Sequence, residues 1–150
     1  MRSELAMPPT LVDVEADALI DYCLAKPGAF LDFPFGIDVA VVKVKAPSQP
    51  SGKIFAQVFT LHGVPSATLS CDPTTAVVFR ELYPGVVVRG YHCPPVQQPY
   101  FNTLPLTGAV PAADIIELAD QAYEVVVAKL PKYRQRELAA ISGTSSANRR

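Results

Sequence analysis

Histidine, cysteine and positive charge are all in short supply in this chain, and each shortage excludes something. Two histidines (His62, His92) and three cysteines (Cys23, Cys71, Cys93) are scattered through 150 residues, and only His92 and Cys93 adjoin. Neighbours on a strand point to opposite faces, so that pair is no natural nucleophile and base. A metal site built from His62, His92 and Cys93 would need a long-range convergence that nothing in the spacing encodes. No Cys-x-x-Cys pair is present, and the glycine segments GVPSA and PGVVVRG lack phosphate-cradling spacing. A non-enzymatic protein without metal or cofactor is therefore expected. The scattered thiols read as reduced cysteines of a cytoplasmic protein rather than as a disulfide framework.

Long apolar runs are missing too. Nothing approaches the ~20 residues of a membrane span, and the opening MRSELAMPPT carries no apolar signal core. Nor is there a basic excess. Thirteen Lys and Arg against 14 Asp and Glu give a net charge of −1 and a pI near 6.1. Duplex DNA binders draw much of their affinity from phosphate neutralisation, so a neutral chain must gather its few cations on one face to act as one.

What remains is the composition of a single globular domain, 49% hydrophobic and 18% charged, with enough length for one continuous core. Residues 1–12 read as a loose, proline-containing leader. Asp13 is placed to cap a helix over 13–26, stopped by Pro27-Gly28. Its Ala16, Leu19, Ile20 and Cys23 fall at core spacing, while Asp13, Asp17 and Asp21 form an acidic outer stripe. A turn-rich stretch over 30–38 leads to a strand over 39–45, and KIFAQVFTL (53–61) reads as the returning strand of a hairpin. The connector APSQPSG is too long for a tight turn and is expected to be mobile.

Further strands are expected over 66–70, 86–89 and 101–106. Asp72-Pro73 opens a helix between the first two of these, and Tyr83-Pro84-Gly85 closes it. The last helix shows one apolar face through Ile115, Ala119, Ala122, Tyr123, Val126 and Leu130, ended by Pro131. Residues 133–150 are polar and basic and read as a disordered tail. This order predicts an α+β fold, a mostly antiparallel five-stranded sheet with helices packed on one face, spanning residues 13–132.

Three blocks in that order, DYCLAKPGA, LSCDPTTAVVFRELYPGVVVRGYH and YEVVVAKLPK, resemble the YjbR/MmcQ family. The resemblance implies a CyaY-like α+β fold and a double-wing protein that binds duplex DNA, weakly and without sequence preference, through loop cations. In this chain Gly90-Tyr91-His92 and Asn102-Thr103 match the ends of the family's second-wing motif. Between them CPPVQQPY brings no lysine, and Phe101 stands where relatives carry Trp. The candidate phosphate contacts are Lys43, Lys45, Lys53 and Arg89, with the basic tail (Lys129, Lys132, Arg134, Arg136, Arg149, Arg150) as an added attraction. Strand lysines also serve simply to keep an open sheet soluble.

The alternative is a module that binds a protein or small-molecule partner, with no membrane role. Its candidate surface is Tyr91, His92, Tyr100, Phe101 and Asn102, where aromatic residues meet the uncharged loop 93–100. Tyr91, Tyr123, Asn102 and Asp72 equally suit structural duties, as core-edge rings, a backbone partner and a helix cap.

Overall fold

The computed structural model describes residues 8–90 and 94–148, with side chains for 16–90 and 94–141. Helix α1 spans Pro8–Leu24, five residues earlier than the position of Asp13 suggests. Pro8 and Pro9 occupy its first two positions, where a missing backbone N–H costs nothing. Leu19 and Cys23 are buried and Ala16 and Ile20 pack beside them, while Asp17 and Asp21 face solvent. Burial pushes the Cys23 thiol up to about 12, and does the same to Cys71. Both thiols are unpaired and buried.

Among the described residues the sheet has six strands rather than five, all antiparallel, in the order β1-β2-β3-β4-β6-β5. These are β1 (Ala29–Asp32), β2 (Ala40–Val44), β3 (Lys53–Leu61), β4 (Val64–Ser70), β5 (Val88–Arg89) and β6 (Phe101–Pro105). The additional strand is β1, four residues that pair with β2 from Ala29↔Val44 to Asp32↔Val41. It is hidden in the sequence because Pro34 and Gly36 follow at once and make the whole stretch look like turn. His62-Gly63 makes the two-residue turn of the β3–β4 hairpin, with φ of 52° and 80°, the left-handed pair such turns demand.

Helix α2 (Pro73–Leu82) lies between β4 and β5, and α3 (Ala112–Ala128) follows β6. Asp72 caps α2 as its sequence suggests: the side chain accepts from the Thr75 N–H at 3.0 Å and the Thr75 hydroxyl at 2.8 Å. Helices α1 and α3 cover one face of the sheet. There Leu19, Ala119, Ala122 and Val126 meet Val42, Val44, Val58, Leu69 and Leu104 in one core. The Phe55 ring stands edge-on to Tyr123 of α3, centroids 5.5 Å apart. The Tyr123 hydroxyl donates to the Pro27 carbonyl at 2.6 Å, so this ring does anchor a core edge.

Pairing slips between Val42 and Lys43: Ala56 opposes the first and Ile54 the second, leaving Phe55 as an extra residue. This bulge lets consecutive residues, Phe55 and Ala56, both enter the core beneath the helices. It also resets the alternation, so that Ile54, Gln57 and Phe59 line the opposite face.

The segment read as a disordered tail contains a fourth helix, α4 (Lys132–Asn148). Pro131 starts it, its carbonyl accepting from the N–H groups of Arg134 and Gln135. Leu138 is buried in the core and Ile141 packs against it. The Gln135 amide donates to the Leu130 carbonyl at 2.9 Å, tying the end of α3 to the start of α4. Tertiary burial of two apolar residues outweighs a polar composition here. Gly28, at φ +76°, makes the docking of α4 possible: a Cβ there would lie 2.5 Å from Leu138 Cδ2 and 2.7 Å from the Lys45 carbonyl oxygen. Gly28→Ala is therefore expected to lower unfolding free energy by more than ~1 kcal/mol in urea titrations. An unchanged midpoint would contradict this packing.

Candidate ligand-binding site

The described parts of the loops proposed as wings are tied back to the fold. In the β2–β3 connector, Gln49 is 4% exposed and its side-chain oxygen accepts from the Ala46 N–H at 3.0 Å. Ser48 N–H donates to the Glu137 carboxylate of α4 at 2.9 Å, and Arg134 of the same helix reaches the Ser48 carbonyl at 3.3 Å. The expectation of mobility overlooked α4, which clamps this loop. In the described part of the β5–β6 connector, a turn leads into a short 3-10 helix (Gln98–Tyr100), and the Tyr100 carbonyl accepts from Cys71 N–H at 2.9 Å.

Of the four candidate cations, Lys43 and Lys53 stand on neighbouring strands, while Arg89 lies apart. Lys43 lies on the face away from the helices and donates to Asp32 at 2.8 Å. Arg89 opposes Asn102 on β6, whose side chain faces α2, so Arg89 belongs to the helix side. Between the strands of Lys43 and Arg89 stand β3, β4 and β6, a lateral separation of ~19 Å. Lys45 follows β2 half-buried, and Lys53 opens β3 exposed to solvent.

Of the alternative surface, Tyr91 and His92 lie outside the described residues, as does Cys93. Asn102 is only 1% exposed. Its oxygen accepts from Arg80 at 2.7 Å and its amide donates to the Ala76 carbonyl at 3.2 Å, holding α2 to β6. It is a buried tie rather than a surface contact. Tyr100 is 44% exposed, and Phe101 is half-buried. Among the described residues no three His, Cys, Asp or Glu side chains converge as metal ligands would. No described helix is long and apolar enough to cross a membrane.

Phe101 leads to a site that the sequence reading named only at one edge, through Phe101 and the loop 93–100. On the face that the helices leave uncovered, a cavity of about 770 Å³ opens over β3 and β6. Its floor carries Ile54, Gln57 and Phe59 of β3 and Phe101 of β6. Beside them Thr68 of β4, opposite both Gln57 and Thr103, shares a 2.7 Å hydroxyl–hydroxyl bond with Thr103. The β1–β2 loop supplies one wall through Phe35, Asp38 and Val39, and the β5–β6 loop the other through Pro94 and Gln97. Phe35 is 62% exposed, an aromatic ring held at the rim in water. The one legible signal was KIFAQVFTL, whose apolar residues fall on both faces of a strand. The walls come from loops far apart in the chain, which local pattern does not reveal.

An α+β protein with an antiparallel open sheet, helices on one face and a loop-walled cavity on the other is the class defined by this geometry. The family model described as YjbR matches residues 24–125, and the chain belongs to that family. It is 26% identical over 120 residues to the "Uncharacterized protein YjbR" of Escherichia coli strain K12, covering 80% of this chain and 93% of the relative. The crystal structure of Deinococcus radiodurans protein DR2400, with domain DUF419, superposes with a TM-score of 0.72 at 27% identity, over 82% of this chain and 86% of that one. A Pseudomonas syringae protein shares the fold with a TM-score of 0.58 at 18% identity, over 73% and 97% of the two chains.

Several carboxylates have ionisation tied to the fold. The Thr75 N–H, helped by its hydroxyl, holds Asp72 below its ordinary value. Lys43 does the same for Asp32, and the Ser48 N–H for Glu137. Asp120 is pushed up by burial, but hydrogen bonds from Lys26 and Tyr22, both 2.6 Å, together bring it below the ordinary value. Depressed carboxylates stabilise the fold fully above their unfolded values and lose that contribution as pH falls through the folded ones. Stability is therefore expected to decline below about pH 4. Asp72→Ala is expected to cost ~1 kcal/mol at pH 7, with Asp72→Asn costing less because Asn also caps. The gap between wild type and Asp72→Ala should narrow as acid protonates Asp72. Urea titrations from pH 7 to 2 check this, and a gap constant over that range would contradict it.

Proposed function

We propose that this chain is a non-enzymatic binding module that holds a small organic ligand on the uncovered face of its sheet. The observation that carries the reading is the cavity itself. Its volume falls in the range of ligand sites, ~300–1,000 Å³, and its lining mixes the right groups. Phe35, Phe59 and Phe101 offer aromatic surface, while Asp38, Gln57 and Gln97 offer a few polar contacts to fix orientation. No histidine or cysteine is among its described lining residues. Duplex DNA, which the family resemblance suggested, is the weaker reading. Lys43 and Arg89 are on opposite faces, Lys43 already has Asp32, and the connector around Ser48 is clamped to α4. The buried, unpaired thiols of Cys23 and Cys71 support a cytoplasmic setting.

A fragment screen by thermal shift and ligand-observed NMR tests the reading. Neutral aromatic fragments are expected to raise Tm. Phe35→Ala and Gln97→Ala, both exposed loop substitutions, are expected to weaken those fragments several-fold without lowering the Tm of the free protein. Fragments that bind both variants as tightly as wild type would overturn it, as would an absence of any hit.

A further inference from the structure

Two of the candidate wing lysines, Lys43 and Lys53, meet Lys129 at a second cavity. This cavity, of about 630 Å³, shares Ile54 and Phe101 with the first and lies against the end of α3. Lys43 near the end of β2, Ser70 at the end of β4, and Lys53 and Phe101 at the starts of β3 and β6 reach it, as an antiparallel sheet requires. Its polar lining is Lys43, Lys53, Lys129, Ser70 and the Tyr100 ring, with no carboxylate among the described lining residues. Lys129 Nζ sits 5.6 Å from the Tyr100 ring centroid. Asp32 satisfies Lys43 from the neighbouring strand, which leaves Lys53 and Lys129 without a described ion-pair partner.

Each lysine has a separate structural use. Lys129 follows the end of α3, where a cation complements the helix dipole, and Lys43 and Lys53 help keep an open sheet soluble. Those uses do not account for all three lining one cavity that joins an aromatic one. Asp38 lines the first cavity and is absent from the lining of the second, so the combined cleft is polarised.

We propose that the two cavities form one cleft, and that its ligand is an organic anion. Its carboxylate or phosphate monoester meets Lys53 and Lys129, and its apolar or aromatic body lies over Phe101 and Phe59. This rests on the binding-module reading above and adds the chemical class of the ligand. Asp38 opposes the reversed orientation by like-charge repulsion.

A set of probes that share a phenylpropyl body and differ in head group provides the test, by calorimetric and NMR titration of the full chain. The probes are 3-phenylpropanoate, 3-phenylpropyl phosphate, the neutral 3-phenylpropanamide and 3-phenylpropylammonium. The anions are expected to bind about tenfold more tightly than the amide, and more weakly as salt rises. The phosphate and carboxylate arms show which anionic group is preferred. Lys53→Ala and Lys129→Ala should each weaken the anions several-fold and leave the amide unchanged, while Lys53→Arg retains anion binding. An amide that binds as well as the anions would overturn the anion assignment and leave the module reading intact. Silence of all four probes would remove both. An oligothymidylate that binds more tightly than either anion would overturn the assignment in favour of a single nucleic-acid strand.

Discussion

The structure depends on one constraint: helices α1 and α3 seal a single face of the sheet. Strand β3 has to serve that sealed face and the open one together. The extra residue at Phe55 reconciles the two demands. It places Phe55 and Ala56 side by side under the helices, then turns Ile54, Gln57 and Phe59 outward. A regular strand would carry Phe55 and Ala56 to opposite faces, and either the core or the cavity floor would lose a side chain.

Everything on the open side follows from what the chain does with that second face. Helix packing covers the other side, so only loops are left to enclose this one. The β1–β2 and β5–β6 loops stand at two sides of the floor and make a cleft of it. The third long connector, between β2 and β3, is drawn instead toward α4 through Ser48 and Glu137. The strand order keeps Lys43 and Arg89 apart. Lys43, Lys53 and Lys129 line a small concave site instead.

Much of this fold was legible from local chemistry. Asp72-Pro73 announced α2 because a cap and a first-turn proline act within four residues, and the apolar periodicity of α3 is a property of one helix. The three quoted blocks identified the family. What escaped was long-range. Strand β1 is four residues long and earns its conformation by pairing with β2, not by its own pattern. Helix α4 is polar by composition and is held by Leu138 and Ile141 against the core. Asn102 was legible as a backbone partner, but its partners, Arg80 and the Ala76 carbonyl, were not. The cleft joins residues as distant as Phe35 and Phe101, and the sequence reading had singled out Tyr100, Phe101 and the lysines of its basic end but not the floor of β3 or the β1–β2 wall.

The central claim is that function resides on the sheet face the helices leave open. Residue-resolved chemical-shift mapping with a bound aromatic ligand tests it most directly. Shifts centred on Gln57, Phe59 and Phe101, with the outer surfaces of α1 and α3 silent, are the predicted result. Shifts centred on those helices, or on Arg89 and α2, would contradict the account.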